Sequence, residues 1–178
     1  PLYPNALKIA PKVKNYWVWS SFAEKEFARL GHEHVKTVHG VINHEQFRRL
    51  PDQNRLELRK KFNIEEDAFV IGFVFRNQLR KSVPNLIEGY AKWKKEYKPD
   101  KKTYLLFHTH WGEGWNIHRL CDEYGIDKSE VITTYICKSC RRYTIKEFKG
   151  QDLDCEMCGK NKDQITCSVA LGIEEKEL

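Results

Sequence analysis

The chain has 178 residues, of which 40% are hydrophobic and 12% aromatic, with a net charge of +6. These values exclude a disordered or fibrous chain and suit one ordinary globular domain, or one and a half small ones. No apolar run approaches the length of a membrane span, and no signal-peptide pattern opens the chain.

From the N-terminus, Pro1, Pro4 and Pro11 break up a stretch without clear period, which reads as a loop to about Lys14. Tyr16–Trp19 reads as a short strand. Ser20 or Ser21 can cap a helix over Phe22–Leu30, with Gly31 as its stop, and Val35–Val38 reads as a second strand. The polar stretch from Asn43 to Arg55 contains Pro51-Asp52 and places a domain boundary near residue 50. A short helix then covers Arg55–Phe62, with Asn63 as a left-handed end residue.

The next stretch organises the rest. In Phe69 to Phe75 only Gly72 lacks an apolar side chain, a pattern that predicts a strand buried on both faces of a parallel sheet. A basic turn follows with Arg76, Asn77, Gln78, Arg80 and Lys81. Val83, Leu86, Ile87, Tyr90 and Trp93 then recur at helical spacing, with Ser82 as N-cap and Pro84 in the first turn. A strand that ends in cations and feeds a helix N-terminus suits an anion, because backbone N–H groups and the helix dipole favour negative charge there. Between Arg76 and Lys102 nine Lys or Arg stand against three Asp or Glu. Such a patch suits nucleic acid, an acidic membrane or a phosphorylated small molecule. Lys92, Lys94, Lys95, Lys98, Lys101 and Lys102 read as a solvated outer face, which leaves Arg76, Arg80 and Lys81 at the strand end.

Further strands are expected at Thr103–His108 and Val131–Thr134, with a helix over Ile117–Tyr124 stopped by Gly125. Strand and helix alternate with short links, so the expected fold is α/β with a parallel, doubly wound sheet. The loop from His108 to Trp115 lies at the edge where open α/β sheets bind ligands. Trp17, Trp19 and Trp93 read as packing residues.

Cys137 and Cys140, then Cys155 and Cys158, form two C-x2-C pairs with fourteen residues between them. That is the spacing of a zinc ribbon, whose four thiolates close a structural Zn²⁺ site with no open position for catalysis. The ribbon is expected over residues 135–165. Its side chains sum to +2 from seven Lys or Arg and five Asp or Glu. Four thiolates and one Zn²⁺ bring the total to zero, a poor electrostatic partner for nucleic acid. Paired C-x2-C motifs point to a reducing compartment, and we expect a cytoplasmic protein.

Phe69–Tyr90 resembles the opening of the C-terminal domain of family-four retaining glycosyltransferases of the GT-B fold. In that family a strand ends in an Arg and a Lys follows, and both grip the donor diphosphate; Arg76 and Lys81 occupy those positions. Phe75 and Ser82 stand where the family has Gly. The stretch VWSSFAEKEFARLGHEHVKTVHGV is similar to the last strand–helix–strand of the same family's N-terminal domain. The resemblance implies a Rossmann-like, GT-B architecture: the end of the N-terminal domain to residue 50, the front half of the C-terminal domain over 51–134, the zinc-ribbon insertion over 135–165, and a return to the C-terminal domain over 166–178. It also implies transfer of a sugar from a nucleotide-diphosphate donor to an unidentified acceptor. Arg76, Asn77, Arg80 and Lys81 would then meet the diphosphate, with His108 and Thr109 near the donor. Both ends of the chain look cut, and the piece by itself is expected to be inactive. The alternative expectation is a zinc-ribbon module that binds nucleic acid or a partner without catalysis.

Overall fold

In the computed structural model, which describes residues 3–167, the chain divides into two compact units, Pro1–Arg49 and Leu50–Leu178. The expected return to the α/β domain lies mostly outside the described residues.

In the first unit, α1 (Pro4–Ile9) and a following 3₁₀ turn occupy the stretch expected to be a loop. Pro4 falls at the first helical turn, where its missing N–H costs nothing, and Ala6, Leu7 and Ala10 pack on Phe27 and Val35. β1 (Trp17–Val18) pairs parallel with β2 (Lys36–Thr37) around α2 (Ser21–Arg29). Ser20 caps α2 by accepting from the Ala23 N–H at 3.2 Å. Gly31, at φ 86°, ends the helix in the left-handed conformation that glycine tolerates. The Glu24 carboxylate accepts from the Thr37 N–H at 2.8 Å, which ties β2 to the helix and lowers the Glu24 pKa. Trp17 and Trp19 do not serve as core: they are 57% and 82% exposed in this unit. Phe27 and Val35 fill that role, because so small a unit has room for few large side chains.

The second unit is built on a six-stranded sheet with order β3-β4-β5-β8-β7, and β6 also pairs with β5. α3 (Asp52–Lys61) precedes β3 (Phe69–Val74), α4 (Val83–Tyr97) links it to β4 (Thr103–His108), and α5 (Ile117–Glu123) leads to β5 (Val131–Cys137). β3, β4 and β5 are parallel, with Phe73 opposite Phe107 and Phe107 opposite Thr133. β6 (Tyr143–Glu147), β7 (Asp152–Leu153) and β8 (Gln164–Thr166) are antiparallel to their neighbours. The architecture is therefore mixed α/β, and the all-parallel sheet expected from the alternation is replaced beyond β5 by antiparallel hairpins.

One face carries the main core: Leu105, Phe107 and Val131 pack with Val83, Ile87 and Tyr90 of α4 and Ile117, Leu120 and Cys121 of α5. Full burial of Leu105, Phe107 or Ile87 contributes roughly 1.5–3 kcal/mol each. The other face holds a smaller cluster of Ala68, Tyr104 and Ile132. Arg59 of α3 donates to the carbonyls of Glu65 and Ala68, both at 2.8 Å, and fastens that helix to the start of β3.

Two sequence expectations change here. β3 is not buried on both faces: Phe69 is 53% and Val74 64% exposed, and a Cβ on Gly72 would meet open space. Among the described residues β3 is an edge strand, so its apolar run was lengthened by residues that one neighbour cannot cover. Lys94 is not simply part of a solvated face either: its side chain is partly buried and committed to a carboxylate. Its Nζ lies 2.5 and 2.6 Å from the two carboxylate oxygens of buried Glu130, which also accepts from Tyr90 OH at 3.0 Å.

Candidate functional site

The loops after β3 and β4 leave the parallel strands at the same edge, the carboxyl edge where α/β sheets bind ligands. Phe75 N–H donates to the His108 carbonyl at 3.2 Å, so the two loops start in register. Phe75 is buried and turns the chain outward to Arg76, which is exposed. A 3₁₀ turn over Leu79–Lys81 follows, and Ser82 at φ 51° starts the fifteen-residue α4. The Ser82 hydroxyl does not cap the helix as expected, because the left-handed backbone turns it away from the first-turn N–H groups. Of the first-turn groups, Pro84 has no N–H, and the Ser82 and Asn85 N–H groups donate to the Leu79 and Ser82 carbonyls at 3.3 and 3.1 Å, so what the α4 N-terminus offers an anion is chiefly its dipole.

Arg76 Nε donates to Glu113 Oε2 at 3.2 Å, and both side chains are half-exposed. Among the described residues the Nη groups have no hydrogen-bond partner. Lys81 is half-buried and its side chain meets no hydrogen-bond or ion-pair partner among the described residues, whereas Arg80 Nε is held by Gln78 Oε1 at 3.1 Å. Asn77 is 1% exposed and fully engaged. Its Nδ2 donates to the carbonyls of Glu113 and Trp115, the second at 2.9 Å, and its Oδ1 accepts from Trp115 N–H at 3.0 Å. With every polar atom used, Asn77 has nothing left for a phosphate and instead welds the two loops. Trp115 adds a bond from Nε1 to the Leu79 carbonyl at 3.0 Å. Gly114, at φ 60°, lies so close to Asn77 that a Cβ would collide with the Asn77 backbone carbonyl.

His108 and Thr109 come to the same edge but stay inside, at 9% and 1% exposure. Burial lowers the His108 pKa, so its imidazole stays neutral at physiological pH. The Thr109 hydroxyl and His110 Nδ1 are buried without a partner among the described residues. Glu113 and Trp115 are the residues to which the sequence offers no role. The only hint was the Gly112 and Gly114 that bracket Glu113, a pattern expected where backbone must come close.

The second site is the cysteine quartet, whose Sγ atoms all lie within 4.8 Å of one another. Cys137 Sγ is 3.6 Å from Cys158 Sγ, and Cys140 Sγ is 3.9 Å from Cys155 Sγ. These separations are far too long for disulfides and match the ~3.8 Å edge of a tetrahedron with Zn–S bonds of about 2.3 Å. Each pair sits on a tight turn closed by a backbone bond: Arg141 N–H to Cys137 O at 3.0 Å, and Gly159 N–H to Cys155 O at 2.7 Å. Arg141 and Gly159 both take positive φ. The Arg142 amide N–H is the largest influence lowering the Cys140 thiol, which favours a thiolate there, whereas the neighbouring Cys137 thiol is pushed up to about 12, so without a metal the two do not ionise together. The residues fit a structural Zn²⁺ whose four positions are all filled by protein.

The quartet is not detached from the sheet. β5 runs unbroken past Thr134, where a strand end was expected, to Cys137 itself. Along this strand β4 pairs with residues 131–133 and β8 with residues 135–137, on the same side. No protein-family model matches the chain, and no curated protein matches it.

Proposed function

We propose that the chain is the donor-binding part of a glycosyltransferase of Rossmann-like, GT-B architecture, with Arg76 and Lys81 holding the diphosphate of a nucleotide sugar. The observation that carries this reading is the placement of two available cations at one turn. Among the described residues the Arg76 Nη groups and Lys81 Nζ are uncommitted, and the turn feeds the N-terminus of the fifteen-residue α4, whose dipole favours an anion, at the carboxyl edge of parallel strands. In such a site cations and helix N–H groups stabilise the charge that develops on the departing diphosphate, and no catalytic metal is required. Arg80 is anchored to Gln78 and contributes long-range charge. Asn77 positions the loops. His108 and Thr109 line the floor beneath the donor, and the acceptor is undefined. The zinc is structural, and its thiolates belong in the reducing environment of the cytoplasm.

Titration of inorganic pyrophosphate and of uridine diphosphate by calorimetry tests this reading. Arg76→Ala or Lys81→Ala should each weaken binding by about 1.5–3 kcal/mol, the range of charge-assisted hydrogen bonds. Lys101→Ala, in the same basic stretch but outside the turn, should leave affinity unchanged. Equal losses from Lys101 and Lys81 would reject the assignment in favour of diffuse charge.

A further inference from the structure

The ribbon and the loop after β4 are joined by direct contacts. Trp111, 7% exposed, is the centre of them. Its backbone N–H donates to Thr166 Oγ1 of β8 at 3.2 Å, and its Nε1 donates to Thr133 Oγ1 of β5 at 2.9 Å. Its indole stacks on Phe148, which follows β6, with ring centroids 3.7 Å apart and planes at 6°. One residue further on, Gly112 lies against the Gln151 side chain, where a Cβ would overlap Gln151 Oε1. The Gln151 carbonyl in turn accepts from the Thr166 N–H at 3.3 Å. Tyr135 of β5 closes the far side: its hydroxyl donates to Gly150 O at 2.7 Å and accepts from Lys149 N–H at 3.0 Å. The chain between β6 and β7 is thereby held in place beneath the loop.

We propose that the four-cysteine ribbon is the buttress of the anion seat. Thr166, Phe148 and Gln151 are positioning residues that fix Trp111 and Gly112, and through them the Glu113–Trp115 segment that grips Arg76 and Asn77. This inference rests on the reading of Arg76 and Lys81 as an anion site. The physical reason is continuity. Trp111 and Glu113 are two residues apart, and Glu113 and Trp115 supply every partner of the Asn77 side chain and the partner of Arg76 Nε. A loop held at Trp111 presents those partners in one arrangement, so the turn that carries Lys81 is ordered before an anion arrives. A loop released at Trp111 must be ordered at the moment of binding, which lowers affinity. Cys137 ends the same strand that carries Thr133 and Tyr135, so metal occupancy and loop order are coupled along β5.

The test uses the full chain in its metal-loaded form, with inorganic pyrophosphate as the probe. Thr166→Val removes the acceptor for Trp111 N–H, Phe148→Leu removes the stack, and Thr166→Ser restores the acceptor. Glu156→Gln breaks an exposed ion pair with Lys146 inside the ribbon and touches nothing in the loop. Thr166→Val and Phe148→Leu should each weaken pyrophosphate by about three- to tenfold and speed amide exchange at residues 113–115. Thr166→Ser and Glu156→Gln should match the wild type. In an Arg76→Ala background the Thr166→Val effect should shrink, since the two act on one seat. Unchanged affinity and exchange in Thr166→Val and Phe148→Leu would overturn the buttress, as would full additivity with Arg76→Ala. A wild-type chain that ignores pyrophosphate would reject the donor-site reading. Amide exchange at 113–115 in the same variants still decides whether the ribbon orders the loop: faster exchange supports the buttress and unchanged exchange overturns it.

Discussion

Replacing Lys94 by Met removes one partner of a buried charge while keeping most of the aliphatic stem. The Glu130 side chain is 11% exposed and that of Lys94 31%, with Nζ–Oε1 at 2.5 Å. Tyr90 OH remains as a donor to Glu130 and also pairs with Thr103 Oγ1 at 2.8 Å. Removing one member of a fully buried pair costs about 3–5 kcal/mol, but water reaches Lys94 and Tyr90 still donates, so about 2–3 kcal/mol is expected. With a urea slope of about 1–3 kcal/mol/M, that lowers the unfolding midpoint by roughly 0.7–3 M. Glu130→Gln added to Lys94→Met should recover much of the loss, because a neutral amide needs no counter-charge. Pyrophosphate affinity should not change, since Thr103 and Glu130 stand at the amino ends of β4 and β5, opposite the candidate site. A loss below about 0.5 kcal/mol, the value of an exposed pair, would refute the placement of Lys94 against a buried carboxylate.

Two further outcomes are expected. Burial lowers the His108 pKa in the folded chain, so protonation favours the unfolded state. The contribution of His108 is fully present above the unfolded value of about 6.5 and declines as pH falls through it towards the lower folded value. Urea midpoints at pH 7.5 and 5.5 should therefore converge in His108→Gln relative to the wild type, and an unchanged difference would exclude the effect. Cys137→Ser with Cys140→Ser should abolish one tightly held Zn²⁺ per chain, measured by elemental analysis; zinc retained at one per chain would reject the site. Because β5 is shared, the double variant should lose amide protection in β6, β8 and residues 134–137, while β3 and the start of β4 stay protected.

Local chemistry determined much of this protein in the sequence alone. Ser20 and Gly31 bound α2, Asn63 takes the left-handed conformation after α3, and the apolar runs at Phe69–Val74 and Thr103–His108 are strands. The C-x2-C spacing places two cysteines on each turn, and the pairing of β5 with β8 brings the two turns together. Periodicity could not show which faces would be covered. Phe69 and Val74 look like core in sequence and are exposed because burial depends on a neighbouring strand, a property of the sheet and not of the run. Trp17 and Trp19 are likewise not core of the first unit, where Phe27 and Val35 take that place. Lys94 looked solvated because its partner, Glu130, is thirty-six residues away, and only the packing of α4 against the start of β5 brings them together. The candidate site divides along the same line. The cations of the turn were legible as charge beside a helix start, whereas the role of Asn77 as a weld, the Glu113 partner of Arg76 and the grip of β8 on Trp111 all depend on contacts across distant loops. The greatest revision concerns the ribbon. Spacing identified its four cysteines, but only the register of β5, paired with β4 along one half and β8 along the other, made the ribbon part of the sheet that carries the candidate site.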